Sequence, residues 1–535
     1  MEKRNSLLVQ GSILAAAGLI TKLLGFLYRI PMANLLGEQG NGIYSVAYSI
    51  YNIALTLSSY ALPSAVSKLI SERLGRRDRA GAQQVFRASL LFAAAGGLAA
   101  FAALYFGADW LESVYGREGL ARPLKVLGPT TLVVALLGVL RGWFQGRGNM
   151  RPTAVSQVLE QVVNVAGSLL ATWQMVRLYE GKPELASFGA AGGTVGTLAG
   201  AAAALLFMWL LYAVARSGAK PLPRPRESDA SVRRALLWTV VPMILSQTIY
   251  QMGSTVDDLL FGRAMERQQV ADAVAAAVQG VYNTQYNQLT TLPVAITTAL
   301  AATLLPAISL LWSRGERREA MRRTRTVIKL NMVVAIPAAV GLAVLAEPIM
   351  TLLFPRLTEY RDLSVQMMET GSIAIVFYAL STISAAVLQG GGHMGLPAVH
   401  AGVSLVLHAV LVYVLLNYTE LGIHSLIVGN VTFPLLLSLL NCAAVRTRLG
   451  YRWETFHTFT LPVLFSLLMG LLARGLYAGL TALKLGTLLS FLVSVAAAVA
   501  FYGLAVLRLG VFTKSEFPEL PMSRVLSRIA GIPQK

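Results

Sequence analysis

Charge and cysteine are what this 535-residue chain has least of. Only 13% of its residues are charged, where a soluble domain carries about 25%. Hydrophobic residues reach 55%, and the mean hydropathy is +0.60. A soluble multidomain enzyme of this length is excluded, and so is a disordered chain. Cys442 is the single cysteine, which excludes an intrachain disulfide. The glycine clusters around Gly146 and Gly390 match no phosphate loop, and no HExxH or nucleophile elbow occurs. The expectation is therefore no enzyme, no metal and no cofactor. Acid is scarcer than base, with 26 Asp+Glu against 45 Lys+Arg and a formal net charge of +19.

Several apolar runs exceed the ~18 residues that mark a membrane span. Fourteen candidate spans fall at about 7–36, 43–67, 87–107, 122–143, 153–175, 187–215, 235–262, 278–312, 327–347, 367–389, 397–417, 421–444, 459–478 and 485–508. The start resembles a signal peptide, with small residues at Ala15-Ala16-Ala17. Its apolar character runs on past Lys22 to Leu36, too long for a cleaved segment, so it reads as a first transmembrane helix. Of the 45 basic residues, 32 fall in connections on one side and 10 on the other, with Lys22, Arg29 and Arg474 inside spans. Cytoplasmic loops carry the excess of Lys and Arg. This predicts a multi-pass protein of the cell membrane with both termini cytoplasmic. It also accounts for the positive charge without nucleic acid.

The chain repeats itself. GIYSVAYSIY after Gly42 resembles GVYNTQYNQL after Gly280, so that Tyr44 and Tyr48 match Tyr282 and Tyr286. QGRGNMRPTAV from Gln145 matches QGGGHMGLPAV from Gln389. Two similar offsets in the same order, with both copies of each loop on the same side, predict parallel six-helix repeats. The expected organisation is an N-terminal six-helix lobe over 1–215, a proline-rich cytoplasmic linker over 216–234, and a second six-helix lobe over 235–445. Helices 13 and 14 then occupy 446–510, and a cytoplasmic tail 511–535. Duplicated transporters place substrate between such halves and rock them for alternating access.

The candidate binding residues are polar groups within the spans. Lys22 and Arg29 lie seven apart on one face of the first span, where a cation costs ~2.5–3.5 kcal/mol on insertion scales. Cations facing a polar cavity suit an anionic substrate; the alternative is snorkelling of Arg29 to the interface, helped by Pro31. Tyr44, Tyr48 and Asn52 share a face of the second span, and Tyr282, Gln285, Tyr286 and Asn287 form its repeat partner. Such a lining suits a sugar; the alternative is an interfacial aromatic belt. Asp257 and Asp258, near Arg263, and Glu160 are the acids placed to bind a coupling cation, to pair with Lys22 or Arg29, or to link the lobes. His393, His400 and His408 have Asn149 and Asn164 as repeat partners for the first and last, which favours packing or a hydrogen bond over metal ligation.

KLLGFLYRIPMANLLGEQGNGIYSVAYSIYNIALTL from Lys22 resembles the opening of the stage V sporulation protein B group of polysaccharide biosynthesis proteins. LRGWFQGRGNMRPTAVSQVLEQVV from Leu140 is similar to that group's second hallmark. The group belongs to the multidrug/oligosaccharidyl-lipid/polysaccharide exporter (MOP) superfamily and includes flippases of lipid II. The resemblance implies an all-α integral membrane fold of about 14 transmembrane helices, two parallel six-helix lobes in a V and two extra C-terminal helices, as in MATE-like proteins. It implies alternating-access transport of undecaprenyl-diphosphate-linked precursor for peptidoglycan or spore cortex, with membrane lipids and the cell-wall synthesis machinery as further partners. The first-helix motif of the Gram-negative flippases has two arginines flanking Leu-Gly-Phe. Lys22 takes the first position, Tyr28 the second, and Arg29 follows one residue later. Their eighth-helix arginine has no clear counterpart, Asn287 being nearest. The alternatives are export of another lipid-linked oligosaccharide, a cation-coupled multidrug exporter of the same fold, and a scaffold without transport.

Overall fold

The computed structural model describes residues 17–18, 20–217, 227–513 and 516. The start of the first expected span with Ala15-Ala16, most of the linker 216–234 and most of the tail 511–535 lie outside the described residues. No strand occurs among the described residues. The chain divides by contacts into two compact units, Met1–Gly280 and Val281–Lys535.

The first unit runs α1 (20–27), α2 (Arg29–Ser58), α3 (Leu62–Gly75), α4 (Arg79–Phe106), α5 (Ala108–Tyr115), α6 (Ala121–Gly146), α7 (Arg151–Leu178), α8 (Leu185–Arg216), α9 (Asp229–Arg267) and α10 (Asp272–Gly280). Its helices approach through glycines, because in a bilayer association rests on close packing rather than on the hydrophobic effect. Gly192, Gly196 and Gly200 form a four-residue repeat down α8, facing α7. A Cβ on Gly196 would stand 2.2 Å from the Ser168 nitrogen, and one on Gly200 2.4 Å from the Glu160 carbonyl. α10 seats on α2 in the same way. A Cβ on Gly42 would lie 1.9 Å from the Ala276 carbonyl oxygen, and one on Gly280 2.7 Å from the Gly42 nitrogen. These two glycines occupy equivalent places in the sequence repeat.

α2 is interrupted at Gly37, whose φ of 69° and ψ of 178° leave the helical region. The break frees helical carbonyls, and the buried Asn41 side chain donates to two of them, Ala33 at 2.8 Å and Gly37 at 2.6 Å. A buried carbonyl left unpaired would cost stability, so Asn41 fixes where the kink falls. At the start of α4, Asp78 accepts from the Gly81 nitrogen at 2.8 Å as a helix cap.

The second unit opens with a π-helical turn, Val281–Tyr286, leading into α11 (Asn287–Ser313). It continues with α12 (Arg317–Val344), α13 (Ala346–Leu353), α14 (Arg361–Gly371), α15 (Ala374–Gly390), α16 (Leu396–Tyr418) and α17 (His424–Leu449). A second π turn, Phe456–Thr460, precedes α18 (Leu461–Ala482) and α19 (Thr487–Arg508). His400 Nδ1 donates to Asn441 Oδ1 at 2.8 Å and His408 Nδ1 to the Gly429 carbonyl at 3.1 Å. Both rings are thus tied to α17.

Ten helices among the described residues are long and apolar enough to cross a membrane, or eleven if the pair bent by 45° over Arg361–Gly390 counts as one span. The sequence suggests fourteen. Part of the difference is that Ile20–Gly75 forms one stretch where two spans were expected. The chain is a multi-pass membrane protein.

Candidate functional site

In the first unit, the residues around the α1–α2 junction converge on one polar face. The Arg29 guanidinium carbon lies 6.0 Å from the centre of the Tyr48 ring, within cation–π range. Tyr44 and Tyr48, four residues apart, bring their rings to 4.8 Å, and Tyr48 meets Tyr51 edge-on at 5.7 Å. The Tyr28 and Tyr44 hydroxyls are 3.3 Å apart. Tyr48 shares a hydrogen bond with Thr197 of α8. Thr197 in turn donates to Asn164 Oδ1 of α7 at 3.4 Å, and Ser168 reaches the same oxygen at 3.0 Å. The glycine repeat of α8 sets this geometry, since Thr197 can meet Asn164 only if the backbones nearly touch. The result is a chain of hydroxyls and an amide behind a half-buried arginine. It can orient hydroxyl-rich groups, and Arg29 can hold an anion.

The other expected residues fall as follows. Lys22 is exposed and makes no hydrogen bond or ion pair among the described residues. Asn52, one turn beyond Tyr48, is exposed. Asp257 is buried in α9; α9 is held beside this part of α2 by the Ser49–Thr255 hydroxyl contact of 2.9 Å. In the second unit Tyr282, Gln285 and Tyr286 are buried and Asn287 is half-buried. The Tyr282 and Tyr286 rings lie 5.6 Å apart. Tyr286 packs hard on Gly371, and its hydroxyl lies within bonding distance of the Gly371 carbonyl at 3.0 Å and Asn430 Oδ1 at 3.1 Å. That hydroxyl is engaged inside the unit.

The suggested partnerships of the acids need correction. Glu160 pairs with Arg141 at 2.7 Å, not with the cations of the first helix; Arg141 projects from α6 onto the same stretch of α7, where Ser156 also receives its Nε at 2.9 Å. Arg263 pairs with Glu266, one helical turn away, at 3.0 Å. Asp258 accepts from Gln279 Nε2 at 2.7 Å. Gln279 Oε1 then accepts from Arg117 at 2.6 Å, and Arg117 donates to the Asp272 carboxylate at 2.9 Å. This network joins the α5–α6 loop to α9 and α10. Burial pushes the Asp272 carboxyl above the usual aspartate range and the Arg117 guanidinium below its own, each partly offset by the other's charge.

Sequence reasoning missed Arg117, Asp272 and Gln279, which sit in or beside connections; the seven-residue spacing of Asp272 and Gln279 on one helix face was the available signal. A further cluster lies in the second unit. Lys329, fully buried, meets Glu516 at 3.0 Å and Glu454 at 3.2 Å, and Glu454 also receives His457 at 3.1 Å. By sequence position, at the end of the basic stretch 314–329, Lys329 reads as a loop residue.

The family described as polysaccharide biosynthesis protein matches residues 7–312, more than half of the chain, and the MatE family matches residues 242–414. Stage V sporulation protein B of Bacillus subtilis (strain 168) is 27% identical over 436 residues, covering 81% of this chain and 82% of that protein. Lipid II flippase MurJ of the same strain is 25% identical over 402 residues, covering 72% and 73%. Among solved structures, the lipid II flippase MurJ in an inward closed conformation aligns with a TM-score of 0.67 at 15% identity, over 91% of this chain and 96% of that one. An inward-facing MATE family multidrug transporter of the MOP superfamily aligns with a TM-score of 0.67 at 17% identity, over 80% and 94%. The fold is that of the MOP superfamily, and the chain belongs to the polysaccharide biosynthesis protein family.

Proposed function

We propose that this chain is a flippase that carries an undecaprenyl-diphosphate-linked cell-wall precursor, lipid II, across the cell membrane by alternating access, in peptidoglycan or spore cortex synthesis. The observation that carries the reading is Arg29, a cation with no acidic partner among the described residues, set over Tyr48 on a hydrogen-bonded polar face. A membrane-embedded charge costs several kcal/mol unless it faces a polar cavity or a partner, and a diphosphate is the partner its chemistry suits. In this reading Arg29 and Lys22 grip the diphosphate. Tyr44, Tyr48 and Asn52 of the first unit are the saccharide contacts, and Tyr282, Gln285 and Asn287 are their repeat counterparts in the second unit. Tyr286 positions those counterparts through its anchor on Gly371. Asp257 is the acid placed for a coupling cation. The lobes are 1–215 and 235–445, joined by a cytoplasmic linker, and the segment 446–510 guides the isoprenoid tail. Both termini lie in the cytoplasm. The names of two similar proteins, stage V sporulation protein B and lipid II flippase MurJ, support this reading. The cell-wall synthesis machinery is its expected neighbour.

The MatE match over 242–414 favours a second reading, a cation-coupled multidrug exporter. Complementation separates the two. A bacterium depleted of its resident lipid II flippase is supplied with this chain or with the Lys22→Ala/Arg29→Ala variant, at matched membrane levels. Growth and lipid II exposure on the outer leaflet are scored. Rescue by the wild type, lost in the variant, is expected. Rescue by both overturns the site. Failure of both, with acquired drug resistance, overturns the flippase reading in favour of the exporter.

A further inference from the structure

The outside of the first unit carries a concavity apart from the residues described above. α4, α6 and α8 enclose an apolar groove of about 440 Å³, lined by Phe86, Leu90, Leu140, Leu206, Trp209 and Tyr212 among others. That volume falls in the ordinary range of ligand sites. The groove is open sideways, since Leu206 and Trp209 are 58% and 55% exposed. Along α8 it reaches from Tyr212 to Ala202, ten residues, or roughly 15 Å of helix. That is half of a hydrocarbon core of ~30 Å, the depth of one leaflet.

The mouth of the groove is polar and cationic. Tyr212 packs against Phe86 and Trp143, with ring centres 4.8 and 4.9 Å away, and its hydroxyl accepts from Gln83 at 3.1 Å. Each lining helix ends there in an arginine: Arg79 opens α4, Arg147 follows α6, and Arg216 closes α8. Arg147 lies over the Trp143 ring at 3.8 Å. Burial lowers its pKa, and so do the like charges of Arg216 and Arg79, while the Tyr212 oxygen raises it. None of the three arginines has an acidic partner among the described residues. The nearby acids are engaged elsewhere, Glu227 by Arg73 at 2.7 Å, Asp229 by the Gln84 amide at 2.5 Å and Asp78 by the Gly81 nitrogen. A general bias of basic residues toward one side explains an arginine at each helix end. It does not explain three meeting at one groove mouth with no acidic partner among the described residues.

We infer that this groove is a site for an anionic glycerophospholipid of the leaflet on the basic-loop side, with its phosphate on Arg79, Arg147 and Arg216 and one acyl chain along α8. Basic pockets between membrane helices recognise anionic headgroups, and each arginine near the surface adds about fivefold in affinity, so three give on the order of 100-fold preference over a zwitterionic lipid. The full chain in neutral detergent is titrated with dioleoyl phosphatidylglycerol or dioleoyl phosphatidylcholine, and bound lipid is counted by native mass spectrometry. Phosphatidylglycerol brominated in its chains reports on the groove by quenching Trp209, read as the difference between wild type and Trp209→Phe.

The expected result is selective retention of phosphatidylglycerol. That selectivity is abolished by Arg79→Gln/Arg147→Gln/Arg216→Gln, and quenching is lost in Ala202→Phe, which narrows the groove and leaves the arginines. Equal retention of the two lipids, or unchanged selectivity in the triple variant, overturns the inference. So does competition by soluble glycerol phosphate at the lipid's own concentration, which marks a site for free phosphate. If the triple variant does not fold, unchanged quenching in Ala202→Phe is sufficient to refute the chain placement.

Discussion

Replacing Gly42 and Gly280 by alanine, singly and together, tests how the two equivalent stretches of the repeat meet. Within a helix, glycine to alanine ordinarily stabilises by about 1 kcal/mol, so a loss must come from contact. A Cβ on Gly42 would stand 1.9 Å from the Ala276 oxygen, and one on Gly280 2.3 Å from the Glu38 oxygen. To regain an ordinary contact of 3.4 Å, α10 must retreat from α2 by about 1.5 Å. Overpacking of this kind costs about 1–3 kcal/mol, or a fall of roughly 2–6 °C in Tm for a unit of this size. Both methyl groups enter the same gap, and a helix moved aside for one has made room for the other. The double variant should therefore fall short of the sum of the singles by about 1–3 kcal/mol. Thermal unfolding of the purified protein, followed by tryptophan fluorescence, measures all four corners of the cycle. Neutral or stabilising single variants, or effects additive within about 0.5 kcal/mol, would refute the reasoning, because the two glycines would then not share one contact.

Two further outcomes follow from buried groups. The Asp272 carboxyl is raised above its unfolded value, first by burial, so its favourable contribution to folding is fully present below the ordinary aspartate pKa and is lost as pH rises through the raised value. Asp272→Asn should gain in Tm relative to wild type from pH 4 to pH 7; a variant that loses ground over that range would show Arg117 outweighing burial. Tyr286→Phe leaves the Gly371 carbonyl and Asn430 without their shared donor and should destabilise by about 1–3 kcal/mol, read as a lower midpoint in denaturant; an unchanged midpoint would place that hydroxyl outside the packing of the unit.

Much of this was legible in the chain and some was not, for identifiable reasons. Residues four apart on a helix share a face, so the ring contact of Tyr44 with Tyr48 could be read from spacing alone. Arg29 stood out because cations are rare among apolar runs. Thr197 did not, since it lies in a glycine- and alanine-rich stretch and its partners are 33 and 149 residues away in sequence. The equivalence of Tyr282 and Tyr286 to the first tyrosine pair was visible, but the π turn that carries them was not. At its end Tyr286 is received by Gly371 and Asn430, tertiary contacts with no local signature in the sequence. Lys329 shows the limit of counting charges by position: near the start of a span it looks like a loop residue, whereas its carboxylates come from residues 454 and 516.

That last arrangement bears on the order in which the protein can be finished. Lys329 is already threaded into α12 long before residue 516 exists. Until Glu516 arrives, eight residues beyond α19, Glu454 must answer Lys329 and the neighbouring Arg325 together. Ribosomal synthesis runs from the N-terminus, so the second unit holds an under-neutralised cation through nearly all of its own translation. A chain stopped short of Glu516 would keep every membrane-spanning helix found among the described residues and still leave the buried Lys329 without its second carboxylate, which gives cellular quality control a physical difference by which to tell it from the completed protein.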